Sequence, residues 1–154
     1  MEESSKTGLV ISPAGISDLE SVSQLLSRNN LPVADLGAHL DSILLAKYEG
    51  TLTGVVALEH HGEEALLRSL CVQEAHRCTG VGVALVSAIE AAAVALGVRE
   101  LYLLTVSAAE YFDRLGFTPV SRAQIPEAIR QTEQFRTLCP ASAICMRKRS
   151  RRAY

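Results

Sequence analysis

The chain has 154 residues, of which 48% are apolar and 21% charged, with 15 basic and 17 acidic side chains. This balance is that of an ordinary globular domain, and it excludes a disordered chain, a collagen-like fibre and a disulfide-dense scaffold. Five of the basic residues lie in the last eight positions, so the remainder carries a charge of −7 and is poorly suited to the phosphate backbone of nucleic acids.

The first part of the chain predicts a strand followed by a helix. Leu9–Ser12 is a short apolar run typical of a strand, and Pro13 then opens a stretch with apolar residues at helical spacing. Those apolar positions are Ile16, Leu19, Val22, Leu25 and Leu26. A loop is predicted over Arg28–Leu36, because Asn-Asn and a proline interrupt the pattern. This segment either continues as a loop or forms a short helix that ends at Asp41.

Three strands are predicted next, in an antiparallel run. They cover Ser42–Tyr48, Thr51–His60 and Glu64–Val72, and turn signals at Glu49-Gly50 and His61-Gly62 separate them. The middle of the chain is therefore expected to form a continuous antiparallel part of the sheet.

Helices and strands alternate in the second half. The predicted elements are a helix over Gly80–Leu96 ending at Gly97, a strand over Glu100–Thr105, a helix over Ala108–Leu115 ending at Gly116, a strand over Phe117–Val120, a helical stretch over Pro126–Gln134 and a strand over Ala141–Arg147. The order β-α-(α)-β-β-β-α-β-α-β-α-β predicts an α/β (α+β) fold, in which helices flank a mixed, mostly antiparallel, twisted sheet.

Nothing in the sequence divides the chain, because it holds no internal repeat or linker. We expect one domain over residues 1–148 and a solvated basic tail over residues 149–154. No apolar run reaches the roughly 18 residues that cross a bilayer, and polar Met1–Lys6 does not resemble a secretory signal. The sequence thus predicts a cytoplasmic protein with no membrane partner and no nucleic-acid partner.

The four cysteines do not predict a metal site. They are Cys71, Cys78, Cys139 and Cys145, and no pair among them has the two-residue gap of a zinc knuckle or a redox motif. Buried or surface thiols are the simpler interpretation, and no metal is expected.

The residues at one junction between a strand and a helix indicate a binding site for an anion. There, Arg77-x-x-Gly80-x-Gly82 follows the strand that ends at Val72. Glycines let backbone N–H groups approach an anion, the first turn of a helix adds unsatisfied donors and partial positive charge, and Arg77 adds a full charge. This design fits a pyrophosphate, and an ordinary turn with tightly packed glycines is the alternative. The spacing is neither that of a dinucleotide loop nor that of a P-loop.

Two stretches resemble the GCN5-related N-acetyltransferase (GNAT) superfamily. Arg77-x-x-Gly80-x-Gly82 after Leu70-Cys71-Val72 resembles its acetyl-CoA signature, and Ala108–Phe117 resembles its second signature, a helix that runs into a Gly-Phe strand start. The gap between the signatures and the strand order agree as well, so the resemblance covers nearly the whole chain. It implies a single GNAT-like domain with acetyl-CoA as its cofactor and CoA as the product.

The resemblance also implies a binding mode and a mechanism. In that family acetyl-CoA lies between two strands that splay apart, and an amine attacks its acetyl carbon directly, without an enzyme nucleophile. The implied cofactor-binding residues are Leu70, Cys71, Val72, Arg77, Cys78, Thr79, Gly80, Val81, Gly82, Thr105 and Phe112. Cys71 would then be a neighbour of the pocket and not a catalytic thiol.

The chain departs from the family where a general acid is usual. Many members place a tyrosine four residues before the glycine of Gly-Phe, where this chain has Phe112, and Tyr111 lies about 100° away around the helix. Thr105 stands where asparagine is usual. Thr105 and Ser107 are candidates to donate a hydroxyl to the cofactor thiol, with ordinary strand-end and helix-cap roles as the alternative.

The reaction also needs an acceptor for the proton of the substrate ammonium. Glu59 is the candidate base, and a chain of water molecules is the alternative proton acceptor. The Glu59 carboxylate has an alternative role as the ion-pair partner of Arg68. Arg68 shares strand parity with Leu70 and Val72, so we expect it on the cofactor side, where a guanidinium would recognise a substrate carboxylate. A structural ion pair with Glu59 is the alternative for Arg68.

The C-terminal segment narrows the choice of amine. Leu101–Thr105, Ile125–Arg130 and Leu138–Lys148 resemble the arsenic-resistance N-acetyltransferases, which are associated with organoarsenical and phosphinic analogues of glutamate. Ile125–Arg130 and Leu138–Ala143, together with Phe112 in place of tyrosine, resemble more distantly the acetyltransferase domain of N-acetylglutamate synthase. In that domain an arginine stands at the position of Pro140, two residues before Ser142, and this difference counts against glutamate itself as the acceptor. The resemblance implies a glutamate-like or other small anionic amino acid as acceptor, a role in detoxification, and Ser142 as a candidate contact.

Two other functions stay open on the sequence alone. Phe112 and the lack of a carboxylate inside the strand before the signature favour a non-catalytic module that binds or senses acetyl-CoA. The acidic body would attract a basic peptide, which makes a peptide or protein N-acetyltransferase the third candidate. Members of the family are often dimers, so a homodimer is a further expectation.

Overall fold

The structure, a computed structural model, describes residues 8–29, 31, 42–77, 79–132, 135–136 and 143–150. Its strands are β1 (Leu9–Pro13), β2 (Ile43–Tyr48), β3 (Thr51–His61), β4 (Glu64–Val72), β5 (Glu100–Thr105), β6 (Thr118–Val120) and β7 (Ile144–Arg149). Its α-helices are α1 (Leu19–Arg28), α2 (Val81–Ala95), α3 (Ala109–Arg114) and α4 (Glu127–Arg130). Short 3₁₀ turns occupy Ile16–Asp18, Glu74–His76 and Arg122–Gln124.

The seven strands form one sheet in the order β1-β2-β3-β4-β5-β7-β6. The β1–β2, β2–β3, β5–β7 and β6–β7 pairs are antiparallel, whereas β4 and β5 run parallel. The predicted α/β fold with a mixed, mostly antiparallel sheet is thus confirmed. The sequence pattern does not predict the position of β7, the last strand in the chain, which lies between β5 and β6.

Contacts group the chain into two compact units. The first comprises Met1–Leu58 and Ser69–Glu90, and the second comprises Glu59–Arg68 and Ala91–Tyr154. Each unit holds its own cluster of buried apolar side chains. Among the described residues, no helix is long and apolar enough to span a membrane.

One face of α1 supplies the core of the first unit. Its buried residues Val22, Leu25 and Leu26 pack with buried residues of the strands. Those partners are Ile43, Leu45, Val55, Ala57 and Cys71. Fully burying a leucine side chain contributes on the order of 2 kcal/mol. This face therefore stabilises a ten-residue helix that would be marginal in isolation.

The helix begins later than the apolar spacing predicts. Pro13 lies in β1, and Ile16, expected on the buried face, is 81% exposed in the 3₁₀ turn before α1. The cause is Asp18, whose carboxylate accepts a hydrogen bond from the Gly15 N–H at 2.8 Å and closes a tight turn. The optional helix up to Asp41 lies outside the described residues.

The predicted strands agree closely with the observed ones in the middle of the chain. β4 and β5 have the predicted bounds, and β2 and β3 lie within one residue of theirs. The Glu49-Gly50 turn joins β2 to β3 as predicted. β3 extends to His61, so the next turn is formed by Gly62 and Glu63.

The core of the second unit contains residues of β4, β5 and β7 and of the segment around α4. Its buried members are Leu66, Tyr102, Ile125, Ile129 and Cys145. The helix in this segment is shorter than predicted: Pro126 is its N-cap, and the Thr132 hydroxyl donates to the Ile129 carbonyl at 2.7 Å just after its end. Residues 133–134 of the predicted helix lie outside the described part of the chain.

β7 runs beyond its predicted end at Arg147. Lys148 Nζ donates to the Leu115 carbonyl at 2.8 Å, and an Arg149 terminal nitrogen lies 3.1 Å from a Glu100 carboxylate oxygen. The basic run therefore begins inside the sheet, and Arg149, expected in the solvated tail, belongs to a strand. The expected start of this strand at residues 141–142 and the residues 151–154 lie outside the described residues.

Candidate active site

The segment after β4 is anchored to β3 by one side chain and its own backbone. The Gln73 N–H donates to the Thr53 carbonyl at 2.8 Å, and Gln73 Nε2 donates to the Leu52 carbonyl at 2.7 Å. The 3₁₀ turn over Glu74–His76 then leads to the predicted phosphate loop. The start of the loop is therefore fixed to the sheet by two hydrogen bonds.

Gly80 makes the last turn of the loop into α2. Its φ of +93° lies in the region that favours glycine, and, apart from Gly80 itself and its two chain neighbours, no heavy atom of the described residues lies within 4 Å of the place where a Cβ would stand. The first N–H groups of a helix lack partners within it. The open side of Gly80 and the donors of the first turn of α2 together offer a surface suited to an anion.

Gly54 in β3 determines how closely α2 can lie on the sheet. A Cβ at Gly54 would stand 2.9 Å from Leu85 Cδ1, 3.1 Å from Val81 Cγ1 and 3.2 Å from the Cys71 carbonyl oxygen. The absence of that Cβ lets the first turns of α2 approach the strand. Sequence reasoning misses this residue, although an isolated glycine inside a predicted strand is the signal that could reveal it.

Arg77 is held beside the loop by two hydrogen bonds. Its Nε donates to the Val72 carbonyl at 3.0 Å, and a terminal nitrogen donates to Asn29 Oδ1 at 2.6 Å. Asn29 follows the last residue of α1 and was not predicted to take part in any site. The Thr79 hydroxyl donates to the His76 carbonyl in the same loop. Cys78, a predicted member of the loop, lies outside the described residues.

A concavity of about 580 Å³ lies at the end of α1. Its lining residues are Leu25, Arg28, Asn29, Gln73, Glu74 and Ala75. Among the described residues, this lining presents one cation, one carboxylate, two amides and two apolar side chains. Asn29 therefore contacts Arg77 and also lines this concavity.

Cys71 is part of the core of the first unit. Its side chain is buried, and its Sγ lies 4.0 Å from the Leu25 carbonyl. Burial raises the pKa of the Cys71 thiol, and the nearby charges of Arg77 and Arg28 oppose that shift. A buried neutral thiol is a poor nucleophile, which supports the prediction that Cys71 is not catalytic.

Ser69 interrupts the regular alternation of β4. Its φ of +61° is unusual for a residue other than glycine inside a strand. The parity that relates Arg68 to Leu70 and Val72 does not hold across such a residue. The expectation that Arg68 shares their face therefore loses its basis. The ladder between β4 and β5 comprises three pairs, from Glu64↔Glu100 to Leu66↔Tyr102.

Glu59, Arg68 and His61 form a connected cluster in the second unit. Arg68 NH1 lies 2.9 Å from Glu59 Oε1, and His61 Nε2 lies 3.0 Å from Glu59 Oε2. The Arg68 side chain is 7% exposed and that of Glu59 is 13% exposed. The structure thus contains the ion pair that the sequence analysis gives as the alternative for both residues, and both carboxylate oxygens of Glu59 have partners.

The strand end before α3 contains two further candidates. Thr105 is buried, and its Oγ1 accepts a hydrogen bond from the Ala108 N–H at 2.9 Å, which is the local turn role given as an alternative. Its hydroxyl hydrogen is not used by that bond. Ser107 is exposed. Each of the two side chains carries one hydroxyl that can donate a hydrogen bond.

Phe112 is a buried residue of the second unit. It is buried and packs edge-on against Phe117, with 5.7 Å between ring centroids, and against Tyr111 at 5.4 Å. Burial raises the pKa of the Tyr111 hydroxyl, and nearby Arg114 opposes the shift. Phe112 has no proton to donate, so the usual position of the family's general acid is filled here by an apolar side chain.

The structure places the predicted residues in two groups. The loop candidates Leu70–Val72, Arg77 and Thr79–Gly82 belong to the first unit, and the other described candidates, Glu59, Arg68, Thr105, Ser107 and Phe112, belong to the second. Ser142 and Cys78 lie outside the described residues. Within the described ranges, no group of three or more histidine, cysteine, aspartate or glutamate residues could hold a metal ion.

Comparison with protein families identifies the domain type of the sequence. Residues 39–119 match the model of an acetyltransferase (GNAT) domain. An uncharacterized N-acetyltransferase of Chlorobaculum tepidum is 30% identical over 114 residues, which cover 73% of this chain and 71% of that protein.

Solved structures share the fold at lower identity. N-acetylglutamate synthase from Neisseria gonorrhoeae, in complex with coenzyme A and N-acetyl-glutamate, has a TM-score of 0.85 and 21% identity over 94% of this chain. The chain spans only 35% of the length of that enzyme. Rv2747 from Mycobacterium tuberculosis, in complex with CoA, has a TM-score of 0.79 and 20% identity, covering 91% of this chain and 98% of that one.

Proposed function

The chain belongs to the GNAT family of acetyltransferases, and on that basis we propose that it transfers the acetyl group of acetyl-CoA to the amine of a small anionic amino acid or analogue. The observation that carries this proposal is the loop between β4 and α2. It combines an arginine, a glycine with one open side and the first turn of a fifteen-residue helix.

The proposed cofactor contacts fall on this loop. The pyrophosphate would lie on the open side of Gly80, against the N–H groups of Gly80–Gly82, with Arg77 beside it. Leu70–Val72 would bind the pantetheine through their backbone. When bound, acetyl-CoA supplies the thioester that the amine attacks directly.

In this proposal no residue of the chain forms a covalent bond to the acetyl group. Cys71 is buried and takes no part as a nucleophile. Phe112 cannot protonate the departing thiolate, and a thiolate with an ordinary pKa of about 8.5 is a tolerable leaving group without an acid. Thr105 and Ser107 remain the hydroxyls proposed to contact it.

Glu59 is the proposed base, because each of its carboxylate oxygens accepts one hydrogen bond and keeps a second lone pair that can take a proton. A water molecule is the alternative proton acceptor. Measuring kcat for Glu59→Gln decides between them. A general base contributes about 10²-fold or more to the rate, so a fall of that size, measured where the variant is fully folded, would assign the base to Glu59. A fall below about threefold would assign it to water.

The acceptor class is proposed from charge and resemblance. Arg68 is the only charged residue among the buried residues that the structure describes, and a guanidinium matches a carboxylate geometrically. The similarity in fold to N-acetylglutamate synthase and the resemblance to the arsenic-resistance branch both favour glutamate-like acceptors. Ser142 is proposed as a further contact. A detoxification role would follow if phosphinic or arsenical analogues are the preferred substrates.

A panel assay of CoA-thiol release tests the proposal. The amines are glutamate, phosphinothricin, an organoarsenical analogue, an aminoglycoside, a polyamine and a lysine-rich peptide. Turnover confined to the first three would support the proposed acceptor class. Turnover with the peptide alone would favour a peptide N-acetyltransferase. Silence across the panel, with acetyl-CoA still raising the Tm, would favour a binding module.

A further inference from the structure

Arg77 has partners on two sides. Its Nε donates to the Val72 carbonyl at 3.0 Å, and one terminal nitrogen donates to Asn29 Oδ1 at 2.6 Å. A guanidinium has five N–H donors, and these two bonds use two of them. The side chain is therefore held in one direction while keeping donors that a phosphate could use.

The orientation of the Asn29 amide follows from its surroundings. Its Nδ2 donates to the Leu25 carbonyl at 2.9 Å, one of the last carbonyls of α1, which lack partners within the helix. Rotating the amide by 180° would put an NH₂ group against the guanidinium and an oxygen against the carbonyl. Only one orientation satisfies both neighbours, so Asn29 presents an acceptor to Arg77.

The bond joins two elements that are distant in the sequence. Asn29 lies at the end of α1, and Arg77 lies 48 residues later in the loop after β4. We propose that Asn29 is a positioning residue for acetyl-CoA, because it holds Arg77 in the orientation that receives the phosphates. This inference rests on the proposed function of the loop. A side chain ordered in advance loses less conformational entropy when the ligand binds.

Asn29 also has a structural role that must be separated from this one. Its backbone N–H donates to the Leu26 carbonyl at 3.0 Å and closes the end of α1. The test compares Asn29→Ala with Ser27→Gly, which weakens the last turn of α1 through backbone entropy and keeps the Asn29 amide. Both variants are expected to lower the Tm, and only Asn29→Ala is expected to weaken binding of CoA.

A double-mutant cycle on the Kd of CoA gives the decisive measurement. Calorimetry is performed on the full chain with Asn29→Ala, Arg77→Ala and the double variant. We expect Asn29→Ala to raise the Kd about tenfold, the size of a lost hydrogen bond to a charged group. In the Arg77→Ala background it should change the Kd less than about twofold, because its effect passes through Arg77. Equal effects in both backgrounds would overturn the inference.

Acetyl-pantetheine, which lacks the phosphates, provides the second readout. The KM for acetyl-pantetheine should be the same in wild type and Asn29→Ala, while the KM for acetyl-CoA rises. An equal rise for both donors would mean that Asn29 acts only on the fold. If wild-type protein binds no CoA, the proposed function and this inference fail together. If it binds CoA and the cycle is additive, only the role of Asn29 fails.

Discussion

Arg68 and Glu59 form an ion pair that is largely removed from water, with 2.9 Å between NH1 and Oε1 and side chains that are 7% and 13% exposed. Removing one partner from a buried pair leaves an uncompensated charge, which costs about 3 to 5 kcal/mol. We expect Arg68→Met to lower the free energy of unfolding by about 3 kcal/mol in urea titrations. Adding Glu59→Gln to Arg68→Met should restore a large part of the lost free energy of unfolding. A double variant as unstable as Arg68→Met alone would contradict this expectation.

Arg68 also gives a prediction about binding of the acceptor substrate. If Arg68 binds the substrate carboxylate, Arg68→Met should raise the KM of glutamate-like acceptors by about tenfold or more, the loss expected for a bidentate charged contact. Substrates without a carboxylate, if any are turned over, should keep their KM. A uniform change across acceptors would mean that Arg68 only supports the fold.

Gly80 and Gly97 offer a matched pair for testing the loop. Both have positive φ, +93° and +85°, and at neither would a Cβ meet a described atom within 4 Å beyond the local backbone and the adjacent residues. Aspartate at either site should cost about 1 kcal/mol in backbone strain. Gly80→Asp should also raise the KM for acetyl-CoA about tenfold, because its charge would face the pyrophosphate. Gly97→Asp should leave that KM unchanged, and an equal rise in both variants would remove the loop assignment.

Gly54 gives a prediction about packing. Gly54→Ala should destabilise the protein by about 1 to 3 kcal/mol, because its Cβ would stand 2.9 Å from Leu85 and 3.2 Å from a backbone oxygen. The variant should also weaken CoA binding, since α2 must shift. Gly15→Ala is the control: beyond the adjacent residues, the nearest atom to its Cβ would be an Asp18 carboxylate oxygen at 3.6 Å. Equal decreases in the Tm of the two variants would argue against close helix packing at Gly54.

Asp18 makes stability depend on pH. The Gly15 N–H, and then Lys47, lower the pKa of the Asp18 carboxyl from its ordinary 3.8. A lowered pKa means that the stabilisation is present above about pH 4 and is lost as the pH falls through the folded-state value. Asp18→Ala should therefore cost about 1 kcal/mol at pH 7 and much less at pH 2. A cost of Asp18→Ala that is the same at pH 7 and pH 2 in this unfolding series would contradict the prediction.

Local sequence signals predict most of the strands and fewer of the residues that shape the site. Alternating apolar residues and a short turn place β2 and β3, because these depend only on neighbours. Ile16 fits the helical spacing yet is exposed, since one Asp18 carboxylate closes a turn first. Asn29 contacts Arg77, 48 residues later, and Gly54 contacts Cys71, Val81 and Leu85 across the sheet, and no periodicity reports such contacts. The position of β7 inside the sheet is likewise a property of the whole chain.

Ser69 lies inside a strand with a left-handed backbone, a conformation that β-branched side chains adopt least readily. The residues that normally make the best strands, valine and isoleucine, should therefore be the worst replacements at this position. Glycine, asparagine and aspartate, ordinarily strand breakers, should be the best. In a library randomised at this single site, the usual ranking of strand formers should appear inverted among the variants that still fold.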